Sequence, residues 1–163
     1  MRKIFSMFIL YVFIILNTSA SDHDIYTINI KDDNPKNILF VGNSYLYYND
    51  SLHNHFKRIV EEKYPDYDGG SSVKSATIGG SRLKHHNMDH LLGSKTISTV
   101  DKFDLVILQG GSGESLSKTD REEFFKTAKT HTDKIKSSGA DAAFYMIHAY
   151  VKPHKNYSPT LIR

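Results

Sequence analysis

Four short strand-like segments recur along the chain, and each of them ends at glycine or polar residues. An unbroken apolar run such as Ile38-Leu39-Phe40-Val41 is typical of a strand that is buried on both faces of a sheet. The four segments with the residues that follow them are 37–41 before Gly42-Asn43-Ser44, 72–78 before Gly79-Gly80, 103–108 before Gln109-Gly110-Gly111, and 142–147 before His148. The pattern predicts a sheet of about four strands.

Amphipathic segments lie between these predicted strands. Leu52, Phe56, Ile59 and Val60 share one face of a helix that starts near Asn49, Asp50 or Ser51 and ends before Pro65. Thr119 and Glu122 have the spacing of a capping box, which opens a second helix that runs to Gly139, and residues 82–92 are expected to form a short helix. Strands that alternate with helices predict an α/β fold, a three-layer α/β/α sandwich with a mainly parallel sheet.

In a parallel α/β sheet, ligands bind beyond the carboxyl ends of the strands. Ser44, Gly79-Gly80, Gln109 to Ser112 and His148 each follow a predicted strand. We therefore expect these residues to meet at one edge of the sheet and to form the functional crevice.

Three of these junctions resemble the sequence blocks of one enzyme family. The segment Ile38-Leu39-Phe40-Val41-Gly42-Asn43-Ser44-Tyr45 resembles the first block of the SGNH (GDSL-type) hydrolases, Thr77-Ile78-Gly79-Gly80-Ser81 resembles the second, and 104–112 stands where the third is expected. The resemblance covers about residues 37–148 and implies a flavodoxin-like sheet. It also implies a serine esterase that acts on an acylated carbohydrate or another small ester and needs no cofactor.

The resemblance assigns a role to each junction. Ser44 corresponds to the nucleophile and Gly80 to a backbone N–H donor of the oxyanion hole, while Gln109 takes the region where the family usually has an asparagine donor. A serine hydroxyl needs both a base and such donors to react, and a strand-to-helix junction suits the developing negative charge. The alternative interpretation is that all three are ordinary turn residues of an α/β sheet.

The family's general base is absent from its usual place. No Asp-x-x-His block occurs in the last third of the chain, and the match at Asp50-Ser51-Leu52-His53 lies on the helix after the nucleophile. His148 is the candidate base at the correct edge, and His154 is a second candidate on a loop. We expect a domain over 37–163 that lacks the family's last strand and helix, with low activity, since a serine without its base loses most of its rate advantage. A non-catalytic module that binds a glycan or another ligand in the same cleft is the alternative function.

Other residues near these junctions are candidates for the substrate cleft. Asn43, Tyr45, Gly79 and Ser112 adjoin the three blocks, and Leu83-Lys84-His85-His86 resembles a Leu-x-x-His segment of related sequences, which places His86 in the cleft. A metal site is the alternative for His86, because His90 follows it at helical spacing with Asp89 adjacent. The sequence lacks the His-Glu-x-x-His pattern, so a polar helix surface is preferred and no metal is predicted.

The first residues have the features of an export signal. Arg2 and Lys3 precede an apolar run from Ile4 to Leu16, and small residues up to Ala20 follow it. We expect a signal peptide over 1–20, a polar leader over 21–36, secretion or periplasmic export, and no membrane attachment after cleavage.

Composition excludes several classes of protein and partner. The 163 residues include no cysteine, which excludes disulfides, thiolate metal sites and cysteine nucleophiles. The net charge is +3, with no basic stripe, so no nucleic-acid partner is expected. The expected partner is a small-molecule or glycan ester, and the sequence leaves the oligomeric state open.

Overall fold

The computed structural model describes residues 31–148 and residue 150. One four-stranded sheet has the order β2-β1-β3-β4, and every neighbouring pair of strands is parallel. The strands are β1 (Ile38–Gly42), β2 (Val73–Thr77), β3 (Leu105–Leu108) and β4 (Asp141–Phe144). The predicted α/β class with a parallel sheet is therefore confirmed.

Helices cover both faces of this sheet. They are α1 (Ser44–Tyr47), α2 (Leu52–Lys63), α3 (Gly69–Ser72), α4 (Met88–Leu91) and α5 (Lys118–Ser137). The single helix expected over 82–92 is wrong, because a 3₁₀ turn at Leu83–His85 and helix α4 take its place. His86 and Asn87 separate them, and the Asn87 side chain caps α4 by accepting a 3.2 Å hydrogen bond from the His90 N–H.

Side chains of β1 alternate between two hydrophobic clusters, one on each face of the sheet. Leu39 and Val41 belong to a cluster that includes Met88 of α4 and Ile135 of α5. On the opposite face, Ile38 and Phe40 pack with residues of the first two helices, Leu46, Leu52 and Phe56. The two clusters define the three layers of an α/β/α sandwich.

Helix α5 begins at a different cap from the one the sequence predicted. The Ser117 hydroxyl oxygen accepts a 3.0 Å hydrogen bond from the Asp120 N–H, and the hydroxyl donates to the Asp120 carboxylate at 2.6 Å. The predicted box at Thr119 and Glu122 is wrong, because Ser117 and Asp120 have equivalent spacing two residues earlier and start the helix there.

Strand β4 ends three residues before the predicted position. The Tyr145 N–H still donates to the Leu108 carbonyl at 2.8 Å, but β3 itself ends at Leu108. Beyond that point, β3 offers no further strand backbone for pairing.

The end of the predicted leader is tied to the sheet. The Lys31 N–H donates to the Asp141 carboxylate at 2.6 Å, and the N–H groups of Lys36 and Asn37 donate to Asp104 at 3.1 and 2.9 Å. The predicted signal peptide, the leader up to residue 30 and the last residues of the predicted domain (151–163, with His154) lie outside the described residues.

Candidate functional site

The carboxyl ends of β1, β2 and β3 surround a small cleft of about 140 Å³. Five residues that the sequence singled out line it: Asn43, Ser44, Tyr45, Gly80 and Ser112. Gly111, which belongs to the predicted junction after β3, also lines it, and the remaining lining residues, Ser81, Arg82 and Gly113, were not predicted. The expectation of a shared crevice at this edge therefore agrees with the geometry, although Gly79, His86, Gln109 and His148 are not among the lining residues.

Ser44 is the first residue of α1 and is half-buried at the cleft. The preceding residue, Asn43, caps this short helix, because its side-chain oxygen accepts a 3.1 Å hydrogen bond from the Tyr45 N–H. Within residues 31–148 and 150, neither the hydroxyl nor the N–H of Ser44 has a hydrogen-bond partner. Both groups are therefore free to meet a ligand.

Gly80 contributes a second free donor to the same cleft. Its φ of 66° lies in the left-handed region that glycine adopts without steric cost. The neighbouring Ser81 N–H closes a turn to the Ile78 carbonyl at 3.1 Å, whereas the Gly80 N–H has no partner in the described part of the chain. The turn therefore leaves the Gly80 N–H available to an incoming oxygen atom.

Asn43 connects the three loops of the cleft. Its N–H donates to Oε1 of Gln109 at 2.9 Å, and its side-chain amide donates to the Ser81 carbonyl at 2.9 Å. The residue is only 3% exposed, so these bonds are protected from water. The sequence indicated Asn43 as a cleft residue but gave no sign of this connecting role.

Gln109 lies behind the cleft. The residue is 1% exposed, its Oε1 accepts from Asn43, and its Nε2 donates to the Gly110 carbonyl. The amide expected to donate to an oxyanion is thus engaged with backbone groups. A Cβ at position 42 would lie 2.6 Å from Gln109 Oε1, so only glycine fits at the end of β1.

His86 is buried one layer beneath the cleft. Its Nε2 lies 3.1 Å from the Ser81 hydroxyl oxygen, and the residue is 5% exposed. Burial is the main cause that lowers the pKa of His86 to about 4, so its ring is neutral at pH 7. His86 therefore supports the Ser81 turn from behind.

His148 lies close to the residue next to Ser44. Its ring packs edge-on against Tyr45, with 5.6 Å between the ring centroids, and its side chain is exposed. Among the described residues, no histidine forms a hydrogen bond with the Ser44 hydroxyl. The candidate base is therefore near the cleft but not engaged with the candidate nucleophile.

Arg82 lies at the edge of the cleft, and nearby carboxylates offset its positive charge. Its guanidinium lies 2.5 Å from the Asp120 carboxylate and 3.5 Å from that of Glu123, and Asp120 is the main cause that raises the pKa of Arg82. Because both neighbouring carboxylates offset its charge, this edge has no strong preference for an anionic ligand.

A larger depression lies on another part of the surface. It has a volume of about 440 Å³ and is lined by polar residues of α5 and by residues 89, 92 and 93 around the end of α4. Lys134 and Asp89 form an ion pair across it at 2.5 Å. The smaller cleft is the stronger candidate site, because Ser44 and Gly80, whose N–H groups have no partner in the described residues, both line it.

No group of three or more histidine or acidic side chains within 31–148 and 150 is arranged to hold a metal ion. In the same residues, no helix has the length and apolar character needed to cross a membrane.

Comparison with known proteins gave no match to a family model, to a curated protein or to a solved structure.

Proposed function

We propose that this chain is an exported serine esterase of the SGNH type that removes a short acyl group from a carbohydrate or another small ester. The observation that supports this proposal is the shared cleft of the Ser44 hydroxyl and the Gly80 N–H, neither of which has a partner in the described residues. An acyl-transfer site needs a nucleophile and preorganised donors around one small volume.

The proposed reaction has two steps. The Ser44 oxygen attacks the ester carbonyl, a base takes the hydroxyl proton, and the N–H groups of Ser44 and Gly80 stabilise the oxyanion. The alcohol leaves with a proton and an acyl-serine remains. Water then attacks the acyl group, which releases the carboxylic acid and restores the hydroxyl.

We assign the base to His148. Its ring packs against Tyr45, the residue directly after the nucleophile, and it is exposed enough to turn towards the cleft. In this proposal Gln109 fixes the loop of Ser44 and does not itself donate to the oxyanion.

The test is hydrolysis of p-nitrophenyl acetate together with covalent labelling by a fluorophosphonate probe. The wild type is expected to hydrolyse the ester and to carry the label on Ser44, and Ser44→Ala is expected to lose both. Ser115→Ala is the matched control, because Ser115 is exposed and lies outside the cleft lining. Equal, background-level rates of ester hydrolysis for the wild type and Ser44→Ala would disprove the esterase function.

One observation favours a second candidate function. Because no described histidine bonds to the Ser44 hydroxyl, the cleft also suits a module that binds an acylated sugar without turnover. Calorimetric binding of an acetylated sugar, with no product after long incubation and no serine label, would support this function over the esterase.

The proposed export can be tested separately, by finding the residue at which the secreted protein begins. Amino-terminal sequencing of the protein secreted by an expressing cell is expected to begin at Ser21. A mature protein that still begins at Met1 would contradict cleavage after Ala20.

A further inference from the structure

Glu114 is a buried acidic residue that the proposed reaction does not use. It is 4% exposed and follows the glycine-rich loop after β3. An ionised carboxylate at such a position must be compensated by several donors, because its desolvation is costly. The hydrogen-bond donors around the Glu114 carboxylate therefore indicate its role.

Two backbone donors from different loops meet this carboxylate. The Leu83 N–H lies 3.2 Å from each carboxylate oxygen, and the Gly111 N–H donates to Oε2. Hydrogen bonds to a charged acceptor are shorter and stronger than neutral ones. One side chain thus joins the loop after β2 to the loop after β3.

Both of these loops line the cleft. Gly80, Ser81 and Arg82 directly precede Leu83 on one loop, and Gly111 itself lines the cleft from the other. The loops are already close, since a Cβ at Gly111 would lie 3.0 Å from the Ser81 carbonyl oxygen. Glu114 is not a lining residue, so its effect on a ligand acts through the two loops.

We propose that Glu114 is a positioning residue that sets the width of the cleft, and thereby the length of acyl group it admits, by holding Leu83 and Gly111 on one carboxylate. The link between width and acyl length rests on the proposed esterase function. The link between Glu114 and the two loops does not rest on that function.

The first test is amide hydrogen exchange measured by NMR, which needs no activity. In the wild type, the Leu83 and Gly111 amides are expected to exchange at least 10-fold more slowly than the Gly113 amide, which has no partner in the described residues. Glu114→Gln, which replaces one acceptor oxygen with a donor, should remove most of that difference. Unprotected Leu83 and Gly111 amides in the wild type would overturn the proposal without any variant.

The second test compares the kcat/KM ratio of acetyl to hexanoyl p-nitrophenyl esters. Glu114→Gln and Glu114→Asp are expected to lower this ratio at least about fivefold, because the aspartate keeps the charge but is too short to reach both loops. Glu122→Gln is the control, since Glu122 is an exposed carboxylate on α5. A purely stabilising role would lower the melting temperature and leave the ratio unchanged.

The two tests separate the two proposals. A wild type that hydrolyses neither ester contradicts the esterase, and the exchange data then decide alone whether Glu114 holds the loops. An active wild type whose acyl ratio is the same in both Glu114 variants overturns the role of Glu114 in cleft width.

Discussion

The Asn43 N–H donates a 2.9 Å hydrogen bond to the side-chain oxygen of Gln109, and both residues are almost completely buried. This bond joins the residue before Ser44 to the residue that directly follows β3. It fixes the start of α1 relative to the neighbouring strand, so the position of the Ser44 hydroxyl depends on a side chain that does not line the cleft.

Replacing Gln109 by leucine is expected to destabilise the protein. Leucine has a similar size but no acceptor, which leaves the buried Asn43 N–H and the Gly110 carbonyl without their partner. An unsatisfied buried group of this kind costs about 1–3 kcal/mol, so the free energy of unfolding should fall by about that amount in urea titrations. Lys126→Leu, an exposed site on α5, should stay within about 0.5 kcal/mol of the wild type. A Gln109→Leu protein as stable as this control would show that the bond contributes little.

The parallel sheet and the position of the cleft follow from patterns that sequence alone carries. The apolar residues 38–41 predict a strand buried on both faces of the sheet, and the polar junctions at Ser44 and Gly80 meet at one edge as expected. This success has a simple cause, since parallel strands all point their carboxyl ends the same way. Once the parallel strands are recognised, it follows that the residues after each strand lie at the same edge of the sheet.

The connections behind the cleft could not be predicted in this way. Gln109 and Glu114 are polar residues with partners on other loops, at sequence separations of 66 for Gln109 with Asn43 and 31 for Glu114 with Leu83. No local periodicity reports such pairs. The sequence indicated Gln109 and His86 as cleft residues, whereas both are buried beneath the cleft. Gln109 bonds to backbone groups there, and His86 lies against the Ser81 hydroxyl.

The start of α5 shows a similar limit at short range. Ser117 and Thr119 are both suitable caps, each with an acidic residue three positions later, and only the geometry decides between them. Ser117→Ala is expected to lower the free energy of unfolding by about 1 kcal/mol, because it removes the acceptor for the Asp120 N–H. Thr119→Ala, inside the first turn, should have a much smaller effect in the same denaturation experiment. A larger loss of unfolding free energy for Thr119→Ala would instead support the capping box at Thr119 and Glu122 that the sequence predicted.

The size of the cleft predicts the preference for acyl length. A volume of about 140 Å³, bounded by the backbone of Gly111 and Ser81, has room for a short acyl chain. If the chain is an esterase, kcat/KM measured on p-nitrophenyl esters should be highest for acetyl and should be at least about 10-fold lower for hexanoyl. Rates that rise steadily from acetyl to octanoyl would contradict this geometry.

The pH dependence of stability tests the neutral state of His86. Burial lowers its pKa in the folded protein to about 4, whereas the unfolded chain has the ordinary value of about 6.5. Between these two values the unfolded state binds more protons, so this contribution to stability is complete above about pH 6.5 and is lost as the pH falls towards 4. Burial also lowers the pKa of His131, whose Nε2 lies 3.2 Å from the Leu83 carbonyl oxygen, so this residue acts in the same direction.

Urea titrations should show the free energy of unfolding of the wild type falling from pH 7 to pH 4.5, and His86→Asn should have a shallower dependence than the exposed control His90→Asn. Identical slopes for the two variants would show that His86 binds protons in the folded protein as it does in the unfolded chain.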